Sequence, residues 1–313
     1  MSKGNKKVVY AALVGNLLIA ITKFGAAFYT GSSAMLSEGV HSLVDTGNEV
    51  LLLYGMRRAA LPPDRQFPFG HGKEIYFWSF VVALLVFALG AGVSIYEGIH
   101  HLRTPGAIAN PMVNFVVIGL CLLFEGGSWW VALKEFRKRK GERGYLEAVE
   151  AGKDPTTFVV LLEDSAALLG LLVALAALVL TRVTGNPVFD AAASIVIGAI
   201  LAVTALILAR ETKSLLIGES ASHDVVEGIR RLIEEVPEVD RVNEILTMHV
   251  GPDYVLANIS VMISPATERA RVHQVFDQID AQIKGRYPAV KRVFVESETA
   301  LHAKAASHAI SRP

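Results

Sequence analysis

The sequence predicts a mainly α membrane protein: six transmembrane helices followed by a small α+β domain on the cytoplasmic side. Three observations carry that expectation. The 313 residues are 52% hydrophobic and 19% charged, with a mean hydropathy of +0.42. A soluble chain of this length carries more charge and shorter apolar runs. Six apolar segments can be read at about 8–30, 34–56, 76–99, 112–133, 157–181 and 187–209, each near the roughly 20 residues that cross a bilayer as a helix. After Ala209 the pattern turns amphipathic and alternating, as in a water-exposed domain.

The first segment follows a short basic start, MSKGNKK, which could imitate a signal peptide. Val8 to Tyr29 is too long for such a peptide, contains Asn16 and Lys23, and lacks a cleavage site. It is expected to stay as the first span. Gly31, Ser32 and Ser33 make a tight link to the second. His100, His101, Thr104, Pro105 and Gly106 form the third connection, and Thr184, Gly185, Asn186 and Pro187 the fifth; all are turn signals.

Orientation follows from the basic residues. Lys3, Lys6, Lys7, Arg57, Arg58, Arg65, Lys73 and the cluster Lys134–Arg143 fall on one side, against Arg103 and Arg182 on the other. Both termini are therefore expected in the cytoplasm. The mixed-charge run 134–153 reads as a solvated loop whose basic half would attract anionic lipid headgroups. The domain expectation is 1–212 for the membrane part, 213–299 for the cytoplasmic part and 300–313 for a disordered tail. In the second part, Val225 to Val236 has helical periodicity, Arg241–His249 and Tyr254–Ile263 read as strands around a Gly251-Pro252-Asp253 turn, Val272–Ile283 as a helix and Val290–Val295 as a third strand. The order α-β-β-α-β gives a two-layer domain.

Polar residues inside the spans are the candidates for function, because ionisable groups in lipid mark ion pathways. His41 and Asp45, in SEGVHSLVDTGNE, are four residues apart and share a helix face. Glu38, three residues before His41, shares that face too. Glu163 and Asp164 lie roughly two turns into the fifth segment, about 100° apart. Nitrogen and carboxylate oxygen in a compact set suit zinc or a similar divalent ion. The loop PPDRQFPFGHGKE offers Asp64 and His71, either as a second metal pair or as a cap for the third helix. Asn16, Lys23 and Glu125 are read as groups that make interhelical hydrogen bonds or face a water-filled vestibule, and Asp190 as an interfacial cap or vestibule residue. A net charge of zero gives no reason to expect nucleic acid, and the single Cys121 excludes an intrachain disulfide. HExxH does not occur, so an intramembrane metalloenzyme is disfavoured.

With these residues assembled, the chain resembles the cation diffusion facilitator family over nearly its whole length. The resemblance rests on His41 and Asp45 in the second helix, the FPFGHGKE loop with Asp64 and His71, Asp164 in the fifth helix, and MHVGP at Met248–Pro252 in the last domain. LLEDSAALLG and GKEIYFW look closest to the branch containing the mitochondrial zinc transporter of animals. The resemblance implies a metallochaperone-like cytoplasmic domain, a homodimer, and efflux of zinc (or Co2+, Cd2+, Fe2+, Mn2+) in exchange for protons by alternating access. It favours Asp164 over Glu163 as the cavity-facing group, and implies no resident cofactor. Many zinc-transporting members carry a fourth ligand four residues before the aspartate, where this chain has Val160, leaving Glu163 or Glu38 to substitute. Phe67 replaces a loop histidine, and Asn243 and Ile259 replace histidines of the cytoplasmic domain. The alternative is a relative without transport that senses metal or holds a partner. With no transit-like leader read at the start, the expected location is a bacterial inner (plasma) membrane.

Overall fold

The computed structural model describes residues 3–104, 110–140, 144 and 155–297. They fall into two compact units: 1–58 with 74–213, and 59–73 with 214–313. The expected tail 300–313, and residues 141–143 and 145–153 of the expected loop, lie outside the described residues.

The first unit holds α1 (Lys3–Thr30), α2 (Ser33–Ala59), α3 (Glu74–Arg103), α4 (Pro111–Lys140), α5 (Pro155–Thr184) and the larger part of α6 (Val188–Ile217). Among the described residues, Glu74–Arg103, Pro111–Lys134, Phe158–Thr184 and Val188–Ile217 are long and apolar enough to cross a membrane. Four of the six expected spans are thus found on length and composition among the described residues. α2 falls short because Glu38, His41, Asp45, Asn48 and Glu49 crowd its middle. The helices also outrun the apolar segments that announced them. α4 continues through the basic residues to Lys140, and α6 runs past Ala209, where the last apolar segment ends, as far as Ile217. Lys, Arg and Glu are good helix formers, so loss of apolarity does not end a helix.

Tight links join these helices. Gly31 (φ 72°) turns α1 into α2 and Gly185 (φ 71°) turns α5 toward α6, a backbone region open to glycine at little cost. The start of α2 is capped from α6: Asp190 Oδ1 accepts from Ser32 Oγ at 2.6 Å, and Oδ2 accepts from the Ser33 amide at 2.6 Å. A carboxylate there answers the unpaired amides and the positive end of the helix dipole. α3 and α6 cross where both have glycine. A Cβ on Gly98 would meet the Ala191 carbonyl at 2.8 Å, and one on Gly198 would meet the Ala91 carbonyl at 3.1 Å. Such close crossings of small residues are how helices associate in lipid, where no hydrophobic drive separates helix from solvent. α3 also contains one π-helical turn, Val86–Ala91, immediately before this crossing. Around the unit, Leu18, Phe28, Leu123, Phe124, Val131 and Val183 point outward and exposed. That surface is a liability in water and ordinary in a bilayer.

The second unit is a three-stranded sheet covered on one face by α7 (His223–Glu234) and α8 (Arg269–Arg286). Its strands are β1 (Val239–Gly251), β2 (Tyr254–Ile263) and β3 (Val290–Ser297), in the order β1-β2-β3. β1 and β2 pair antiparallel; β2 and β3 pair parallel across the α8 connection. Val255, Ala257, Ile259 and Val261 alternate onto the helix face, packed with Ile229, Ile233, Ile279 and Ile283. The other face is open. Leu246, Asn258 and Phe294 lie in one register row there, and both apolar members are exposed. The loop 59–73 belongs to this unit: Gly72 lies so close to the Val250 carbonyl and Gly251 that a side chain would have no room.

Candidate functional site

Five carboxylates of the first unit line one cavity. The cavity, of about 280 Å3, opens among α1, α2, α4 and α5, and Asp45, Glu49, Glu125, Glu163 and Asp164 all face it. Asn16, Ser42, Ser128 and Val160 complete its polar and apolar walls. The local cause is helical spacing. Asp45 and Glu49 are four apart on α2, so both present to the same side.

The carboxylates differ in how they are held. Asn16 Nδ2 donates to Glu49 Oε1 at 2.7 Å, and Asn48 Nδ2 donates to Glu163 Oε1 at 2.7 Å. Glu125 Oε1 accepts from Lys23 Nζ at 2.7 Å. Asp164 Oδ2 has only a long hydrogen bond from Ser128 Oγ, at 3.3 Å. Asp45 Oδ1 lies 3.3 Å from His41 Nδ1, outside hydrogen-bond geometry. Neither nitrogen of the buried His41 has a hydrogen-bond partner, and nor does Asp45 Oδ1. Buried polar atoms are nearly always satisfied. In a neutral imidazole one nitrogen carries the proton, so the other and Asp45 Oδ1 are the atoms available to a cation.

His41 is fully buried one turn from Asp45 and does not itself line the cavity. Asp45, Glu163 and Asp164 share the wall; both acidic residues of α5 reach it despite their angular separation. Among the described residues, these ligand atoms are not gathered within 4.8 Å of one another. Like charges hold carboxylates apart, and a cation between them is what would draw them in. Glu38 is placed elsewhere. It is buried, its Oε2 accepts from Lys23 Nζ at 3.0 Å, and it packs on Gly170. Lys23 also donates to Ser42 Oγ at 2.8 Å, so one buried ammonium ties α1 to α2 and α4.

The loop pair lies in the second unit. His71 Nε2 is 3.0 Å from Asp64 Oδ2, while Asp64 Oδ1 accepts from the amides of Gln66 and Phe67 at 2.8 and 2.7 Å. The backbone hydrogen bond from Phe67, then the one from His71, hold the Asp64 carboxyl below its usual range. Half of this carboxylate shapes the turn, and His71 Nδ1 is buried without a hydrogen-bond partner. In the sheet, His249 pairs with Val255 on the helix face and Glu296 with Ser260 on the open face, so the two do not converge. Glu49 and Glu125 are the cavity residues that the sequence reading did not single out as ligands. Glu49 was reachable by extending the α2 spacing one more turn; nothing local distinguishes Glu125.

Comparison with known proteins gives two family matches. A model described as the cation efflux transmembrane domain matches residues 9–217, and one described as the cytoplasmic domain of cation efflux proteins matches residues 221–300. The mitochondrial proton-coupled zinc antiporter SLC30A9 of Xenopus laevis is 36% identical over 80% of this chain and 45% of its own length. Metal tolerance protein C4 of Arabidopsis thaliana is 34% identical over 79% and 55%. The cation-efflux pump FieF of Escherichia fergusonii is 25% identical over 91% and 89%. The chain thus spans about half the length of the first two relatives, and all three carry names of transport or tolerance rather than of enzymes.

Proposed function

The chain belongs to the cation efflux family, and from that premise we propose that it moves zinc or a similar divalent cation out of the cytoplasm in exchange for protons. The observation that carries this reading is the cavity with Asp45, Glu163 and Asp164 on its wall and the unsatisfied His41 one turn away. His41, Asp45 and Asp164 are the ligands, with Glu163 turning from Asn48 to supply a fourth. Asp64 and His71 are a weaker pair, and Glu38 is occupied by Lys23. Zinc leads among the candidates because an imidazole-carboxylate set suits it, and because relatives matched over most of this chain are named zinc antiporters. Cobalt, cadmium, iron and manganese share enough of that chemistry to compete.

Proton exchange follows from the ligands. Metal binds their deprotonated forms, so protons and metal compete for one set of atoms. In alternating access the cavity loads from the side poor in protons and discharges to the side rich in them. α1 and α2 serve as the first two of six spans, since their polar residues pair with each other or face the cavity rather than lipid. The basic residues put both termini in the cytoplasm. The open sheet face with Leu246 and Phe294 supports pairing with a second copy. An inner (plasma) membrane is the proposed location, with a mitochondrial membrane, as in the name of SLC30A9, the alternative.

The test is zinc uptake by proteoliposomes under an imposed pH gradient. Flux should follow the gradient and fall to the level of protein-free vesicles in Asp45→Asn and in Asp164→Asn. Full flux in either variant would refute the site. A second reading, a metal sensor or scaffold without flux, is favoured by Val160 occupying a place on the wall where a ligand would complete the set. Intact metal binding with zero flux in the unmutated protein would select it.

A further inference from the structure

We propose that Glu97, His100 and His101, at the end of α3, form a second divalent-cation site distinct from the cavity. Among the described residues this is the one group in which three side chains bring ligand atoms within 4.8 Å of one another. The spacing i, i+3, i+4 puts all three on one stretch of helix surface. The two imidazole rings stand 5.7 Å apart at 79°, and His101 Nδ1 is 3.3 Å from Glu97 Oε2 and 3.1 Å from the Glu97 main-chain oxygen. With the Nδ1 proton donated to the Glu97 main-chain oxygen, His101 has Nε2 free to ligate and leaves the Glu97 carboxylate as a donor.

Two imidazoles and one carboxylate form a donor set that zinc accepts while leaving a position open. A plain i,i+4 ion pair would account for Glu97 and His101, but not for a second imidazole held in the same space. The helix end contributes as well: His100 and His101 sit in the last turn, where the negative end of the helix dipole favours a cation. Arg103 opposes this by adding positive charge to the same turn. Glu97 and His101 are half-buried and His100 is exposed, so the ion would exchange freely with solvent. A weak, open site is therefore the form expected. α3 ends on the side where α2 begins, and Asp45 lies twelve residues into α2 from Ser33, roughly 18 Å of helical rise. Resting on the export reading above, this is the releasing side, and the site takes up the cation that leaves the cavity.

The experiment uses the full chain in detergent titrated with cobalt(II), whose visible absorption reports coordination. In an Asp45→Asn/Asp164→Asn/His71→Ala background the contributions of the cavity and of the loop pair are removed. Adding His100→Ala, His101→Ala or, as the conservative change, Glu97→Gln should weaken one remaining equivalent more than about tenfold, the loss that even an outer-shell partner can cause. Cobalt binding unchanged by all three substitutions overturns the proposal. Export fails independently: a chain that binds cobalt here yet carries no zinc in vesicles leaves this site standing and removes only its place in a transport path.

Discussion

Lys23 is the best-determined electrostatic element of the helical unit, and its removal makes a demanding test. Its ammonium is fully buried, 3.0 Å from Glu38 Oε2, 2.7 Å from Glu125 Oε1 and 2.8 Å from Ser42 Oγ. Lys23→Met keeps the length and apolar stem while leaving two buried carboxylates without their cation. Breaking a buried pair from one side costs about 3–5 kcal/mol, because the abandoned charge stays desolvated. For a unit of roughly 200 residues, each kcal/mol shifts the midpoint by about 2–4 °C. The single variant should therefore melt about 6–20 °C below the unmutated chain in detergent, followed by intrinsic fluorescence. Lys23→Met/Glu38→Gln/Glu125→Gln removes the whole charged group and should recover most of that loss, since replacing a buried ion cluster entirely is often close to neutral. A single variant melting within about 2 °C of the parent, or a triple variant no more stable than the single, would refute the argument. The first outcome would mean that water reaches the cluster, and the second that Lys23 matters for packing alone.

Two further expectations concern the metal chemistry and the loop. Val160 lines the cavity, so Val160→His should add an imidazole to the site and tighten zinc binding by about tenfold or more; unchanged affinity by calorimetry would show that this wall faces away from the ion. Asp64 has its carboxyl held below the usual range by the Phe67 amide and His71. A depressed value of this kind stabilises the turn above the unfolded pKa near 3.9, and the contribution fades as pH falls through the lower folded value. Asp64→Ala should therefore speed hydrogen exchange of the 60–73 segment at neutral pH, with Asp64→Asn retaining much of the protection. Equal exchange rates in all three would mean that the turn holds without this side chain.

What was legible in the sequence was what repeats over short distances. The period-two run Val255–Val261 announced β2 with its buried face, and the four-residue step from His41 to Asp45 announced their shared side. Asp190 was legible as a cap because it sits just after a Gly-Asn-Pro turn, although its partner, the start of α2, is more than 150 residues away. Contacts of that range are hidden from periodicity. Lys23 and Glu125, 102 residues apart, were each legible as interhelical hydrogen-bonding groups but not as partners of one another. Helix ends were misplaced for a different reason. Apolarity locates the part of a helix that suits lipid, whereas α4 and α6 continue as far as hydrogen bonding and propensity allow. Glu97, His100 and His101 were masked by their neighbours, since Thr104-Pro105-Gly106 is a strong turn signal and drew the histidines into the connection.

The charge balance of the cavity argues for a dication. All five charged residues on its wall are acidic. Three have hydrogen bonds or an ion pair at 2.7 Å: Glu49 with Asn16, Glu163 with Asn48 and Glu125 with Lys23. Asp45 and Asp164 have no comparable partner. Two carboxylates carry the charge that one divalent cation cancels, and an uncompensated pair of half-buried carboxylates is costly. An anion would meet five like charges, and a monovalent cation would leave one carboxylate unanswered. If the proposed dication leaves, positive charge has to replace it, and the proton is the carrier small enough to settle on the same oxygens. On the proposed function, exchange of metal for protons is the electrostatic consequence of placing Asp45 and Asp164 on one wall.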